Sequence, residues 1–301
     1  MDLLRLFTDN LLPIFLTAGA GYLLVATLKT DPRPISQVAF NVLAPCLMFR
    51  VVVESHVPVG AVLRMSAFTA AVLLGLGAVA FAVTRMLGWS RTRSSAVALC
   101  ALLPNAGNFG LSANLLAFGP EGLTQASLFF LTSSVITYTV GVLVASLGRT
   151  GPREALLGLL RVPAIWAVVL GFALVRLGWT LPGPATSAVH LLADGCIPAF
   201  LVILGMQLRG AGARGPVGPL ALASGVRLLG GAALGLWLAP VFGLEGAARQ
   251  AAVLQAATPT AVITTILATE YQVEPGLVTS VVFLTTLLSP LTLTPLLALL
   301  R

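Results

Sequence analysis

Leu102 to Gly119 reads LLPNAGNFGLSANLLAFG, which places Pro104, Asn105, Gly107, Asn108 and Gly110 inside a long apolar stretch. In hydrocarbon every backbone N–H and C=O needs a partner, so a helix is interrupted at membrane depth only where it is buried in protein or lines a wet cavity. The proline removes one ladder bond, the glycines loosen the turn around it, and two asparagine amides can hold the freed backbone or a ligand. A packing kink is the plainer reading, because Pro and Gly are commoner in membrane helices than in soluble ones. Whether the interruption recurs elsewhere in the chain decides between the two.

The surrounding chain is that of a polytopic membrane protein. Of its 301 residues 57% are hydrophobic and only 9% charged, with a mean hydropathy of +0.99, against roughly 25% charged residues in a soluble domain. The net charge of +7 comes from basic residues scattered singly through short connections. That pattern fits topology signals and argues against a nucleic-acid partner. Cys46, Cys100 and Cys196 lie in apolar runs without metal-ligand spacing, so neither a metal site nor a cofactor is expected. His56 and His190 are isolated, and no carboxylate pair, GxSxG or HExxH string occurs. The sequence therefore points away from an enzyme.

A span needs about 20 mostly apolar residues. Candidates fall near 11–28, 35–53, 61–83, 95–118, 122–147, 155–176, 186–208, 218–241, 248–270 and 276–300, which predicts ten transmembrane helices in an all-α protein. The first resembles a signal peptide, with Arg5 ahead of it and small residues at Ala18 and Ala20, but it has a counterpart later in the chain and counts as a helix. Lys29, Arg33, Arg85, Arg91, Arg93, Arg149, Arg153, Arg161, Arg209 and Arg214 follow odd-numbered spans; the other side has only Arg5, Arg64, Arg176, Arg249 and Arg301. The positive-inside rule then places both termini outside the cytoplasmic membrane. Arg50 and Arg227 fall near the ends of spans and read as snorkelling anchors.

The interruption does recur. Pro13, Gly21 and Tyr22 match Pro163, Gly171 and Phe172 at one constant offset. Asn41 precedes Pro45 by the interval at which Asp194 precedes Pro198. Pro104 and Asn105 correspond to Pro259 and Thr260 in QAATPTAVITT, and Phe129 and Thr132 to Phe283 and Thr286. Residues 1–150 and 151–301 are thus two repeats. Each has five spans, an odd number, so the second enters the membrane from the opposite side, as in secondary transporters with midplane sites. The fourth and ninth spans are the broken ones, and their half-helix N-termini suit a carboxylate or another small anion.

These residues resemble the auxin efflux carrier family, which includes bacterial malate and malonate permease-like members and the plant auxin exporters. The resemblance lies in NLLPIFLTAGAGYLL, NVLAPCLMF, LPNAGNFGLSANLLAFG, TPTAVITTILATEY and VVFLTTLLSPLTLTPLL, and runs over essentially the whole chain. Its most specific part is Pro104-Asn105 with Gly107 and Gly110. Ser112 departs from it, since bacterial relatives commonly carry a second proline there. The resemblance implies a fold akin to the bile acid sodium symporters. Spans one, two, six and seven would form a scaffold, and three to five with eight to ten a mobile transport domain, with elevator-type alternating access and scaffold-mediated homodimers. It implies substrate contact at Asn105, while Thr260 stands where some relatives have a second asparagine.

Substrate-binding candidates are thus Pro104, Asn105, Gly107, Asn108, Pro259 and Thr260. Coupling candidates are Asp194, Asn41, Gln255, Thr132 and Ser133. A carboxylate in mid-span is expensive unless paired, hydrated or protonated, so Asp194 reads either as a proton-coupling site or as an acid bonded to a neighbouring helix, with Asn41 the repeat-related partner. The ninth span has no carboxylate before Glu270, which ranks sodium below a proton-linked or uncoupled mechanism. The expected function is secondary transport of small organic anions. The alternatives are a sodium-coupled symporter of amphipathic anions such as bile acids, or a membrane sensor.

Overall fold

The computed structural model describes residues 2–55, 58–146, 160, 162–209, 212 and 214–301. His56, Arg149, Arg153, Arg161 and the 150/151 boundary of the expected repeats lie outside the described residues. All regular structure among the described residues is helical, as an apolar chain in hydrocarbon requires.

The chain opens with a short helix that hydropathy does not reveal, α1 (Leu3–Asn10), whose first turn is capped by the Asp2 carboxylate accepting the Leu4 N–H at 3.0 Å. A 42° bend leads into α2 (Leu12–Leu28), with Pro13 in the first turn, where its missing N–H costs nothing. There follow α3 (Pro32–Glu54), α4 (Val59–Met86), α5 (Arg91–Leu102) and α6 (Ala106–Ala145). The second half contains α7 (Pro163–Leu177), α8 (Gly183–Leu208), α9 (Val217–Val241), α10 (Gly246–Ala256), α11 (Ile263–Glu270) and α12 (Pro275–Leu300). Among the described residues six of these, α3, α4, α6, α8, α9 and α12, are each long and apolar enough to cross a membrane.

Two expected spans are each split. The 95–118 stretch is α5 plus the beginning of α6, and 248–270 is α10 plus α11, so both breaks lie at the predicted prolines. α6 bends again at Gly119, with φ 66° and ψ −161° followed by Pro120. Only glycine adopts that backbone readily, and it falls between the expected fourth and fifth spans.

The helices pack in two groups. α2 lies on α8, and α3 on both α7 and α8. Gly21 faces the Val202 main chain, Gly205 faces Ala18 and Gly171 faces Val52, with no room for a larger side chain. Small residues at such contacts let membrane helices approach closely. In the other group α4 packs on α5 and α6, α6 on α10, and α10 on α9, around buried Met65, Phe68, Leu99 and Phe129. The groups meet where the π-turn opening α6 touches α8. There Phe15 stands edge-on to Phe109 at 6.2 Å, and Phe130 to Phe200 at 6.4 Å.

Candidate functional site: a crossing of two broken helices

α5 stops at Leu102 because Pro104 cannot donate the next ladder bond, and α10 stops at Ala256 ahead of Pro259. The two freed segments run antiparallel, with Pro104 beside Thr260. The Asn105 N–H donates to the Pro259 carbonyl at 2.7 Å, and the Ala261 N–H to the Leu103 carbonyl at 2.9 Å. Each break thus satisfies the main chain of the other, which is how irregular backbone is tolerated at membrane depth.

The side chains divide into satisfied and unsatisfied. Thr260 is committed: its N–H donates to the Thr285 hydroxyl at 3.2 Å and its own hydroxyl to the Cys100 carbonyl at 3.0 Å. Asn105 is 4% exposed, yet its amide nitrogen has no partner among the described residues, and Asn108 Oδ1 and Gln255 Oε1 are likewise buried and unpartnered. Leaving such a group unbonded costs roughly 1–3 kcal/mol, which a bound ligand would recover. Gln255 Nε2 donates to the Ala106 and Ala126 carbonyls, both at 3.2 Å, and its amide lies so close to Gly110 that a methyl group there would collide with it. Gly107 is likewise covered by the Phe130 ring.

Four helix ends converge here. The starts of α6 and α11 carry partial positive charge and the ends of α5 and α10 partial negative charge. The negative ends are held by Arg227. Its Nη1 donates to the Ala101 carbonyl at 2.6 Å, its Nη2 to the Ala256 carbonyl, and the side chain is fully buried. Arg227 is therefore no snorkelling anchor: it sits on a π-turn, Val226–Gly230, in the middle of α9 and turns inward. A lone cation at mid-span was the available signal, since such residues almost always face the bundle interior. Phe109 and Phe130, which wall the crossing, gave no signal, because aromatics in an apolar run look like any other core.

The remaining candidates sit apart from the crossing. Thr132 donates to the Ser66 hydroxyl on α4 at 2.9 Å, and Ser133 to the Phe130 carbonyl at 2.9 Å. Asn41 donates to the Gln37 carbonyl of its own helix. Asp194 accepts from Arg50 Nη1 at 2.6 Å, so its partner is Arg50 where Asn41 was expected. Arg50 also bonds Glu54 at 3.0 Å, which pairs with His190 at 2.7 Å, so Arg50 belongs to a four-residue ionic network on α3 and α8. A 290 Å³ crevice lined by Arg50, Glu54, Trp179 and His190 lies beside this network rather than at the crossing. No cluster of His, Cys, Asp or Glu among the described residues could hold a metal.

Comparison with known proteins points to membrane transport. The family described as membrane transport protein matches residues 149–297, the half that carries the second break. An uncharacterised transporter of Methanothermobacter thermautotrophicus is 26% identical over 296 residues, 94% of either chain. Another, from Methanocaldococcus jannaschii, is 25% identical over 195 residues, 64% of this chain and 63% of that one. The match is to transporters, and the helices are those of a multi-pass membrane protein. By these matches the chain is similar to membrane transport proteins, over its second half to the family model and over nearly its whole length to an archaeal transporter.

Proposed function

We propose that the protein is a secondary transporter of small organic anions, carboxylates of the malate, malonate or auxin kind, and that the crossing is its substrate site. The observation that carries this reading is the unpartnered Asn105 amide nitrogen, buried at the start of α6. A helix presents its first N–H groups at that end, and donors with partial positive charge select an anion. Asn108, Pro104, Gly107, Pro259 and the backbone of Thr260 complete the site.

Ten spans in two inverted repeats give this site its place near the bilayer centre. Two observations support that arrangement: the breaks pair with each other, and Gly21 and Gly171, one repeat apart, each lie against a helix of the first packing group. α2, α3, α7 and α8 form the scaffold, and the remaining spans the transport domain. Movement of the second group past the first carries the anion across the cytoplasmic membrane in an elevator manner. The carrier is a homodimer, both termini face outside, and transport is proton-linked or uncoupled.

A thermal-shift screen of the purified protein against mono- and dicarboxylates tests the reading, since a ligand binding only the folded state raises its melting temperature. A small carboxylate should stabilise the wild type. Asn105→Ala should fold and insert but bind roughly 10- to 100-fold more weakly, the loss of one charge-assisted hydrogen bond. If no carboxylate shifts the wild type, or Asn105→Ala binds as tightly, the crossing is not the anion site.

A further inference from the structure

Arg227 is the sole charged residue of α9, and no carboxylate pairs with it among the described residues. A guanidinium buried without compensation in hydrocarbon would be very costly. What compensates it is the pair of helix ends it touches, one from each half: Ala101 is next to last in α5, and Ala256 is the last residue of α10. Each end carries about half a negative charge. Two ends sum to about one unit, which a single guanidinium balances. Gly231, one turn further along α9, leaves the room this requires, because a side chain there would collide with the Ala256 carbonyl.

In carriers built from broken helices, the C-terminal ends of the half-helices are where a coupling sodium ion or proton is held. We infer that Arg227 is a resident cation standing in that place, so that the crossing is charge-balanced without an inorganic ion. The placement of the charge is independent of the carrier reading. Its consequence for coupling, that anion transport needs no sodium, rests on that reading.

The experiment is thermal unfolding of purified wild type, Arg227→Lys and Arg227→Ala in choline buffer, with sodium, potassium or guanidinium chloride added at low-millimolar concentration. Wild type and Arg227→Lys should melt alike in all four. Arg227→Ala should melt lower and be restored saturably by guanidinium, by about 3 °C at about tenfold its dissociation constant. An Arg227→Ala protein as stable as wild type, or one whose loss no cation restores, would overturn the inference. So would specific stabilisation of the wild type by sodium, a measurement that needs no variant to fold. Anion uptake by wild-type proteoliposomes should be equal in sodium and choline. Absence of any uptake would count against the carrier reading, while the melting curves still decide the role of Arg227.

Discussion

Asn105 and Thr260 occupy corresponding places in the two halves, yet they are not equivalent. Thr260 commits both of its donors to protein, whereas the Asn105 amide nitrogen has no partner among the described residues. On the proposed reading, the first break offers a ligand more free hydrogen-bonding capacity than the second. The asparagines and Gln255 were legible in the sequence because an amide beside a proline in an apolar run is costly unless the freed backbone or a ligand bonds to it. Arg227 was legible too, as a lone cation well inside the 218–241 stretch, but reading it as a span-end anchor missed that signal. At Asp194 the chemistry is set by Arg50, at 2.6 Å. That pair belongs to the ionic network on α3 and α8, apart from the crossing of the broken helices. Asp194→Asn should therefore leave the shape of the transport pH profile unchanged, and a profile that flattens in this variant would return the residue to the coupling machinery.

At the level of the helix, hydropathy placed the elements and prolines placed the breaks. α1 escaped because eight residues that include Arg5 and Asp9 do not register as a span. The stretch labelled α6 is two helical segments joined at a kink, because the Gly119 backbone is non-helical between the expected fourth and fifth spans. A turn with φ near 66° and extended ψ cannot be told in sequence from a loop between two helices. Gly119→Ala should cost about 1–3 kcal/mol, the strain of a side chain in a conformation nearly confined to glycine, although nothing lies within 4 Å of the added methyl. The loss should appear as a lower melting temperature with anion affinity unaltered, since the bend is remote from Asn105 in the chain. A variant as stable as wild type would mean that the helix relaxes there.

At the scale of the whole molecule, the two packing groups touch, among the described residues, through aromatic edges rather than salt bridges, with Phe15 against Phe109 and Phe130 against Phe200. Such contacts resist sliding little, because dispersion is non-directional and small per atom pair. Cysteines at positions 15 and 109, in a protein whose native Cys46, Cys100 and Cys196 are replaced by serine, should be bridged by a short bifunctional thiol reagent. Bridging should stop anion uptake while thermal shifts still report anion binding. Undiminished uptake by the bridged protein would rule out movement of one group past the other. Four weak matches suggested a repeat in the sequence, but the way the two broken segments embrace was not readable, because single-sequence pattern carries no record of contacts between distant segments. That embrace also bears on biosynthesis. Among the described residues the Leu103 carbonyl and the Asn105 backbone N–H find their main-chain partners in Ala261 and Pro259. As the nascent chain leaves the ribosome, the first half therefore waits in the bilayer with an open seam, and only the arrival of the last helices can close it.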